Sequence, residues 1–132
     1  MNRYILSNKS ESILSTCCPP LILLGHEIIK HIDIKVISGH RGREEQNTAF
    51  AKKMSTVQYP FSKHNKMPSL AFDIVPYPEL YSSTDKFYFL AGVVYMCAKK
   101  LEIRIRWGGD WNGNLDLKDQ NFFDLAHWEV IT

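Results

Sequence analysis

Three short stretches of this chain carry side chains suited to holding a metal ion: Ser62-Lys63-His64, Ser69-Leu70-Ala71-Phe72-Asp73 and Asp124-Leu125-Ala126-His127-Trp128-Glu129. Two histidines and one carboxylate make a mixed nitrogen and oxygen donor set. Three protein donors leave a fourth tetrahedral position open for water, which is how catalytic rather than structural zinc is held. Asp124 adds the second half of a hydrolytic site, because it stands three residues before His127 and is near enough to act as base on such a water. The surroundings argue against idle surface residues. Asp73 lies among Leu70, Ala71, Phe72, Ile74 and Val75, where a carboxylate is costly to bury unless a cation or hydrogen bonds compensate. Asp124 and His127 lie among Phe122, Phe123, Leu125, Trp128 and Val130. Glu129 falls on the same face of an extended strand as His127, which suits a partner of the ligand or a substrate contact.

The elements that must position these groups mix helices and strands without regular alternation, so the expected class is α+β. Ser7 to Ser10 offers caps for a short helix through Leu14, and Pro19-Pro20 opens a second helix to about His31. Asp33 to Ser38 alternates polar and β-branched residues as a strand ended by Gly39, and a helix follows from Arg43 to Met54. Residues Ser55 to Pro68 are of turn-forming types. Leu70 to Val75 is a second strand, stopped by Pro76 and Pro78. Thr84-Asp85 caps a long helix to about Leu101, with Phe87, Leu90, Ala91, Val94, Tyr95 and Ala98 recurring at helical spacing. A strand over Ile103 to Trp107, a loop from Gly108 to Phe122 and a last strand over His127 to Ile131 complete the chain.

At 132 residues the length predicts one domain, 1–132, and a composition that is 45% hydrophobic and 23% charged is that of an ordinary globular protein. A net charge of +2, with no run of Lys and Arg, excludes a nucleic-acid partner as the expectation. The apolar run Leu21 to Leu24 is interrupted by His26, Glu27 and Lys30 and is far short of the roughly 20 residues a membrane span needs. The N-terminal residues lack an apolar core and cleavage site, so synthesis in the cytoplasm without a signal peptide is expected. Cys17, Cys18 and Cys97 have no disulfide-framework spacing and read as reduced, packed thiols rather than a soft-metal or redox pair. His26, His31 and His40 read as surface or packing residues.

The quoted segments resemble the zinc signature of peptidase family M15. That family takes in D-alanyl-D-alanine carboxypeptidases and dipeptidases of the VanY and VanX kind and the L-alanyl-D-glutamate peptidases that serve as phage endolysins. Ser38-Gly39-His40-Arg41 resembles the family's Ser-Gly-Tyr-Arg segment, Gln46 falls where a glutamine is common, and the resemblance covers about Val36 to Glu129. It implies a small antiparallel sheet flanked by helices, with zinc in a cleft on the sheet, as in Hedgehog and DD-peptidase domains. It also implies His64, Asp73 and His127 as zinc ligands, Asp124 as catalytic base and Arg41, with Arg43 as its competitor, as a cation beside the reacting carbonyl. Substrate contacts are expected from Gln46, Ser62, Ser69, Trp107, Asp110, Trp128 and Glu129, with Gly108, Gly109 and Trp111 sharing a cleft wall.

A short chain with aspartate before the last histidine is more similar to the endolysin branch. The implied activity is therefore cleavage of the L-Ala–D-Glu bond of bacterial peptidoglycan by a monomer that reaches the wall through a separate membrane pore. A D-Ala-D-Ala carboxypeptidase or dipeptidase is the alternative, and an inactive wall-binding module the third reading. The gap from His64 to Asp73 is longer than is usual in the family, and a bulging loop is expected to absorb it.

Overall fold

In the computed structural model, which describes residues 4–78, 84–120 and 123–131, Ser7 caps the first helix, α1 (Asn8–Leu14), by accepting from the Ser10 amide at 3.0 Å. Pro19 and Pro20 open α2 (Pro19–Ile28), where their missing amide protons cost nothing. The chain continues through β1 (Ile34–Ser38), α3 (Arg43–Ala51), a 3-10 turn at Lys63–Asn65, β2 (Ala71–Pro76), α4 (Thr84–Lys100), β3 (Ile105–Trp107), a second 3-10 turn at Leu117–Asp119 and β4 (His127–Val130). The strands form one antiparallel sheet in the order β1-β2-β4-β3. The class is α+β, as the sequence implied.

Period-two alternation divides the sheet into two chemically different faces. Ile34, Val36, Phe72, Ile74, Trp107 and Trp128 join Leu21, Leu24, Ile28, Leu90, Val94 and Ala98 of α2 and α4 in the buried core. The opposite face carries Asp73, His127, Glu129 and Arg106, with Asp73 paired to His127 and Arg106 to Glu129. A register shift between Val36 and Ser38 then brings Ser38 opposite Asp73. Such a bulge re-aims one side chain without disturbing the rest of the strand.

Several boundaries differ from those expected. The second helix ends at Ile28 rather than His31, and the third at Ala51 rather than Met54, where Lys53 takes a φ of 60° and turns the backbone away. The third strand starts at Ile105 rather than Ile103. Glu102 sits at φ 58° just past α4, and the Ile103 amide is spent on the Ala98 carbonyl at 2.9 Å, so it closes the helix instead of beginning a strand. Every residue of Ala71–Pro76 is buried, as suits a strand between two others with both faces covered. Phe122, expected beside Asp124, and Met1 to Arg3 lie outside the described residues. Among those described, no helix is long and apolar enough to cross a membrane.

The longer His64–Asp73 connection is absorbed as a bulge: Lys66, Met67 and Pro68 are exposed, and the Leu70 amide returns to the Lys63 carbonyl at 3.1 Å. On the far side of the molecule Glu27, nearly buried, accepts from Lys100 at 3.0 Å, His31 at 3.1 Å and Lys30 at 3.2 Å. Lys100 first, then His31, hold its carboxyl down to about 2 despite burial. A depressed carboxylate stabilises the fold above its unfolded value, 4.5, and loses that contribution as pH falls towards 2. Glu27→Gln is therefore expected to cost on the order of 1–2 kcal/mol at pH 7, with the difference in melting temperature narrowing below pH 4.5 and closing towards pH 2 in parallel thermal melts.

Candidate metal centre and cleft

His64 is placed by its own turn. The Ser62 hydroxyl accepts from the His64 amide at 3.1 Å, and the His64 carbonyl accepts from the Arg41 amide at 2.8 Å, which ties the turn to the end of β1. Its Nδ1 lies 2.7 Å from the Gly39 carbonyl oxygen, which accepts only, so Nδ1 carries the proton and Nε2 presents a lone pair. His127 is held the opposite way round. Its Nε2 donates to Glu129 Oε1 at 2.8 Å, leaving Nδ1 as the free lone pair. Both outer nitrogens thus have the kind of partner that fixes a metal-binding histidine.

The two free nitrogens and Asp73 Oδ1 form a small triangle. His64 Nε2 and His127 Nδ1 are 3.1 Å apart, and Asp73 Oδ1 is 3.2 Å from the first and 3.4 Å from the second. Asp73 Oδ1 is buried without a hydrogen-bond donor, whereas Oδ2 accepts from Arg41 Nη2 at 3.1 Å. Three acceptor atoms facing one another in a buried space repel unless a positive charge lies between them. A tetrahedral ion with bonds of about 2.0–2.1 Å spaces its donors about 3.3 Å apart, close to the triangle observed. The three residues and the orphaned oxygen therefore fit a divalent ion of zinc's preferences.

The electrostatics carry the same demand. When protons rather than a metal occupy the space between the three groups, burial works to raise Asp73, but the charge of His64 and then the hydrogen bond of His127 outweigh it and hold the carboxyl ionised, well below the usual range. Burial works against charge on His127, and hydrogen bonds to Asp73 and Glu129 overcome it and push the imidazole up to about 9. The space between these groups favours a cation, whether proton or metal. A second grouping, Glu27, His31 and Cys97, lacks that demand: Lys100 and Lys30 already neutralise Glu27, and burial pushes the Cys97 thiol up.

Asp124 stands half-buried in the same cleft as His64 and His127. Burial first, then the charge of Asp73, push it up to about 6, with His127, His64 and Arg41 pulling the other way. Its backbone is clamped to Gly108: the Asp124 amide donates to the Gly108 carbonyl at 2.9 Å, and the Gly108 amide donates to the His127 carbonyl at 2.8 Å. A Cβ on Gly108 would lie 2.1 Å from the Asp124 carbonyl oxygen, so the glycine exists to let two backbones meet. Gly108→Ala must push Asp124 off its position. A loss in kcat of about tenfold or more is expected, with a stability cost of about 1–3 kcal/mol and an unchanged metal content, measured by steady-state kinetics, thermal melts and elemental analysis.

Residues 2–131 of the chain match the family described as phage L-alanyl-D-glutamate peptidase. The chain belongs to that family. Its fold is also similar to the crystal structure of the Serratia marcescens L-Ala D-Glu endopeptidase ChiX, with a TM-score of 0.75 and 20% identity over 98% of this chain and 92% of that one. No curated protein matches it.

In this peptidase the cleft is lined by Arg41, Ser62, Lys63, His64, Arg106, Trp111, Asp124, His127 and Glu129, with Met54, Val57 and Phe61 as an apolar rim. Of the substrate contacts expected from sequence, Ser62 and Glu129 are in the cleft, and so is Trp111 of the expected wall. The others lie elsewhere. Trp107 and Trp128 stack 5.5 Å apart in the core, because alternation sends them to the face opposite His127 and Glu129. Ser69 is fully buried and its hydroxyl donates to the Ala71 carbonyl at 2.6 Å. Asp110 is buried and caps its own loop by accepting from the Leu115 amide at 2.8 Å.

Gln46 is fully buried, accepting from Arg41 Nη1 at 3.1 Å and donating to the Val57 carbonyl at 2.7 Å. It orients Arg41 rather than meeting substrate. Arg41 lines the cleft, yet its guanidinium is committed to Asp73, Gln46 and Ser38, whereas Arg43, its competitor, stacks over the Tyr59 ring at 5.1 Å. The cation Arg106 was not among the expected site residues. Alternation with Trp107 was the available sign for Arg106, since it puts the side chain on the face that carries Glu129.

Proposed function

We propose that this chain is a zinc-dependent endolysin that hydrolyses the L-Ala–D-Glu bond in the stem peptide of bacterial peptidoglycan. The observation that carries the reading is the triangle of His64 Nε2, Asp73 Oδ1 and His127 Nδ1, three buried acceptors whose other polar atoms are already satisfied. Family membership supports the bond and the substrate. Zinc held by these three residues would supply Lewis acidity, polarising an amide carbonyl and bringing the pKa of water towards neutrality.

The remaining work falls to the protein. Arg41 grips Asp73 Oδ2 and so keeps Oδ1 aimed inward, while its positive charge, exposed to the cleft, opposes the negative charge that builds on the carbonyl oxygen. Gly39 and Glu129 hold the two imidazoles in the tautomers that leave the inner nitrogens free. Asp124, poised near 6, accepts a proton from the attacking water and returns it to the leaving amine of D-Glu.

The test is a digest of purified cross-linked peptidoglycan, with and without chelator, read by amine labelling and mass spectrometry. New free amino groups on D-Glu, with L-Ala retained on the glycan and both signals abolished by chelator, are expected. Release of free D-Ala alone would assign a carboxypeptidase instead.

A further inference from the structure

Glu129 is one carboxylate facing two permanent cations. Its Oε2 accepts from Arg106 Nη2 at 2.7 Å and Nε at 3.3 Å, and Lys63 Nζ lies 3.3 Å from the same oxygen. Its Oε1 holds His127. Both cations line the cleft, so the wall next to a ligand histidine keeps one unneutralised positive charge. Among the described residues, Arg106 Nη1 meets no protein partner, and the Arg106 side chain is 42% exposed against 8% for Glu129. Glu129 thus serves as a clamp. It fixes the Nε–Nη2 edge of a planar guanidinium and leaves Nη1 available on a side chain that lines the cleft, where a fork of donors can bind a carboxylate. Of the other acidic groups at this site, Asp124 faces the reaction and Asp73 is turned to His64, His127 and Arg41.

We propose that Arg106, with Lys63 beside it, binds the free carboxylate next to the scissile amide and makes the site selective for an acidic residue on the leaving side; this rests on the substrate proposed above. In a peptidoglycan stem the chain continues through the side-chain carboxyl of D-Glu, so the α-carboxylate stays free on the carbon that bears the scissile nitrogen. Arg106 is linked to the His127 ring through the two oxygens of Glu129, so it stands on the same cleft wall as that ring. An α-amide in that position keeps the shape and loses the charge.

Two synthetic stem peptides, L-Ala-γ-D-Glu-L-Lys and its α-amide, distinguish this role from a purely structural one. Each is assayed with zinc-loaded wild type, Arg106→Gln and Arg106→Lys. Wild type should prefer the free acid by at least about tenfold in kcat/KM, chiefly through KM, as expected of a charge-assisted hydrogen-bonded pair. In Arg106→Gln both rates fall because Glu129 loses a partner, but the acid falls further and the preference collapses. Arg106→Lys keeps part of it. Equal slowing of both substrates in Arg106→Gln, or no preference in wild type, would overturn the inference and leave Arg106 as a positioning residue for Glu129. Failure of zinc-loaded wild type to cut either peptide would overturn the proposed function, and this inference with it.

Discussion

His127→Ala is expected to abolish hydrolysis and release the metal. The substitution removes one of three protein donors and also the partner of Glu129 Oε1, so the remaining pair, His64 Nε2 and Asp73 Oδ1, is too small a set to hold a catalytic zinc. His64→Ala should behave alike. The fold should survive both changes, because Asp73 keeps Arg41, Glu129 keeps Arg106 and Lys63, and the apolar core lies on the opposite sheet face. Elemental analysis after dialysis, with circular dichroism as the folding control, reads the effect. Glu129→Gln provides a graded comparison: losing a second partner rather than a ligand costs roughly 10–100-fold in metal affinity. One tightly held equivalent of zinc in His127→Ala would remove His127 from the ligand set.

Asp124→Asn is expected to keep its zinc and lose about 10²–10⁴-fold in kcat, because a general base touches the water and not the ion. Its stability should move the other way. A carboxyl raised from 3.8 to about 6 binds its proton more tightly in the folded state, so its contribution is full below 3.8 and lost as pH rises through 6. At pH 7 the ionised group is a liability that asparagine lacks. The metal-free variant should therefore melt above metal-free wild type at pH 7, and the gap should shrink at pH 4. Activity of wild type should rise through an acid limb at or below about pH 6 that the variant lacks. Loss of metal from Asp124→Asn would make Asp124 a ligand and leave Asp73 needing another role.

Asp73 and His127 were readable in sequence as candidates because their chemistry conflicts with their surroundings, whereas His64, in a polar loop, stood out only through its pairing with Asp73. A carboxylate at Asp73 within Leu70 to Val75, and a histidine at His127 beside Trp128, call for a compensating partner wherever the strand is buried. Strand parity also placed Glu129 beside His127, and the structure joins them at 2.8 Å. The same parity, applied to Trp107 and Trp128, would have sent both tryptophans to the core. Reading them as cleft residues set aromatic chemistry above alternation. Gln46 and Ser69 were out of reach for another reason. Their burial depends on segments distant in sequence, Val57 and Ser55 folding over Gln46 and the Thr16 to Cys18 turn over Ser69. The helix ends at Lys53 and Glu102 turn on positive φ at residues that are not glycine, for which composition provides no cue.

The most direct measurement of the central claim is a zinc titration of metal-free protein, followed by cleavage of a defined L-Ala–D-Glu stem peptide. Negligible hydrolysis is expected without metal, then a linear rise to one equivalent, a plateau beyond it, and no response in His64→Ala or His127→Ala. Full hydrolysis by the metal-free protein, or a zinc-dependent rate that survives loss of either histidine, would contradict the central claim.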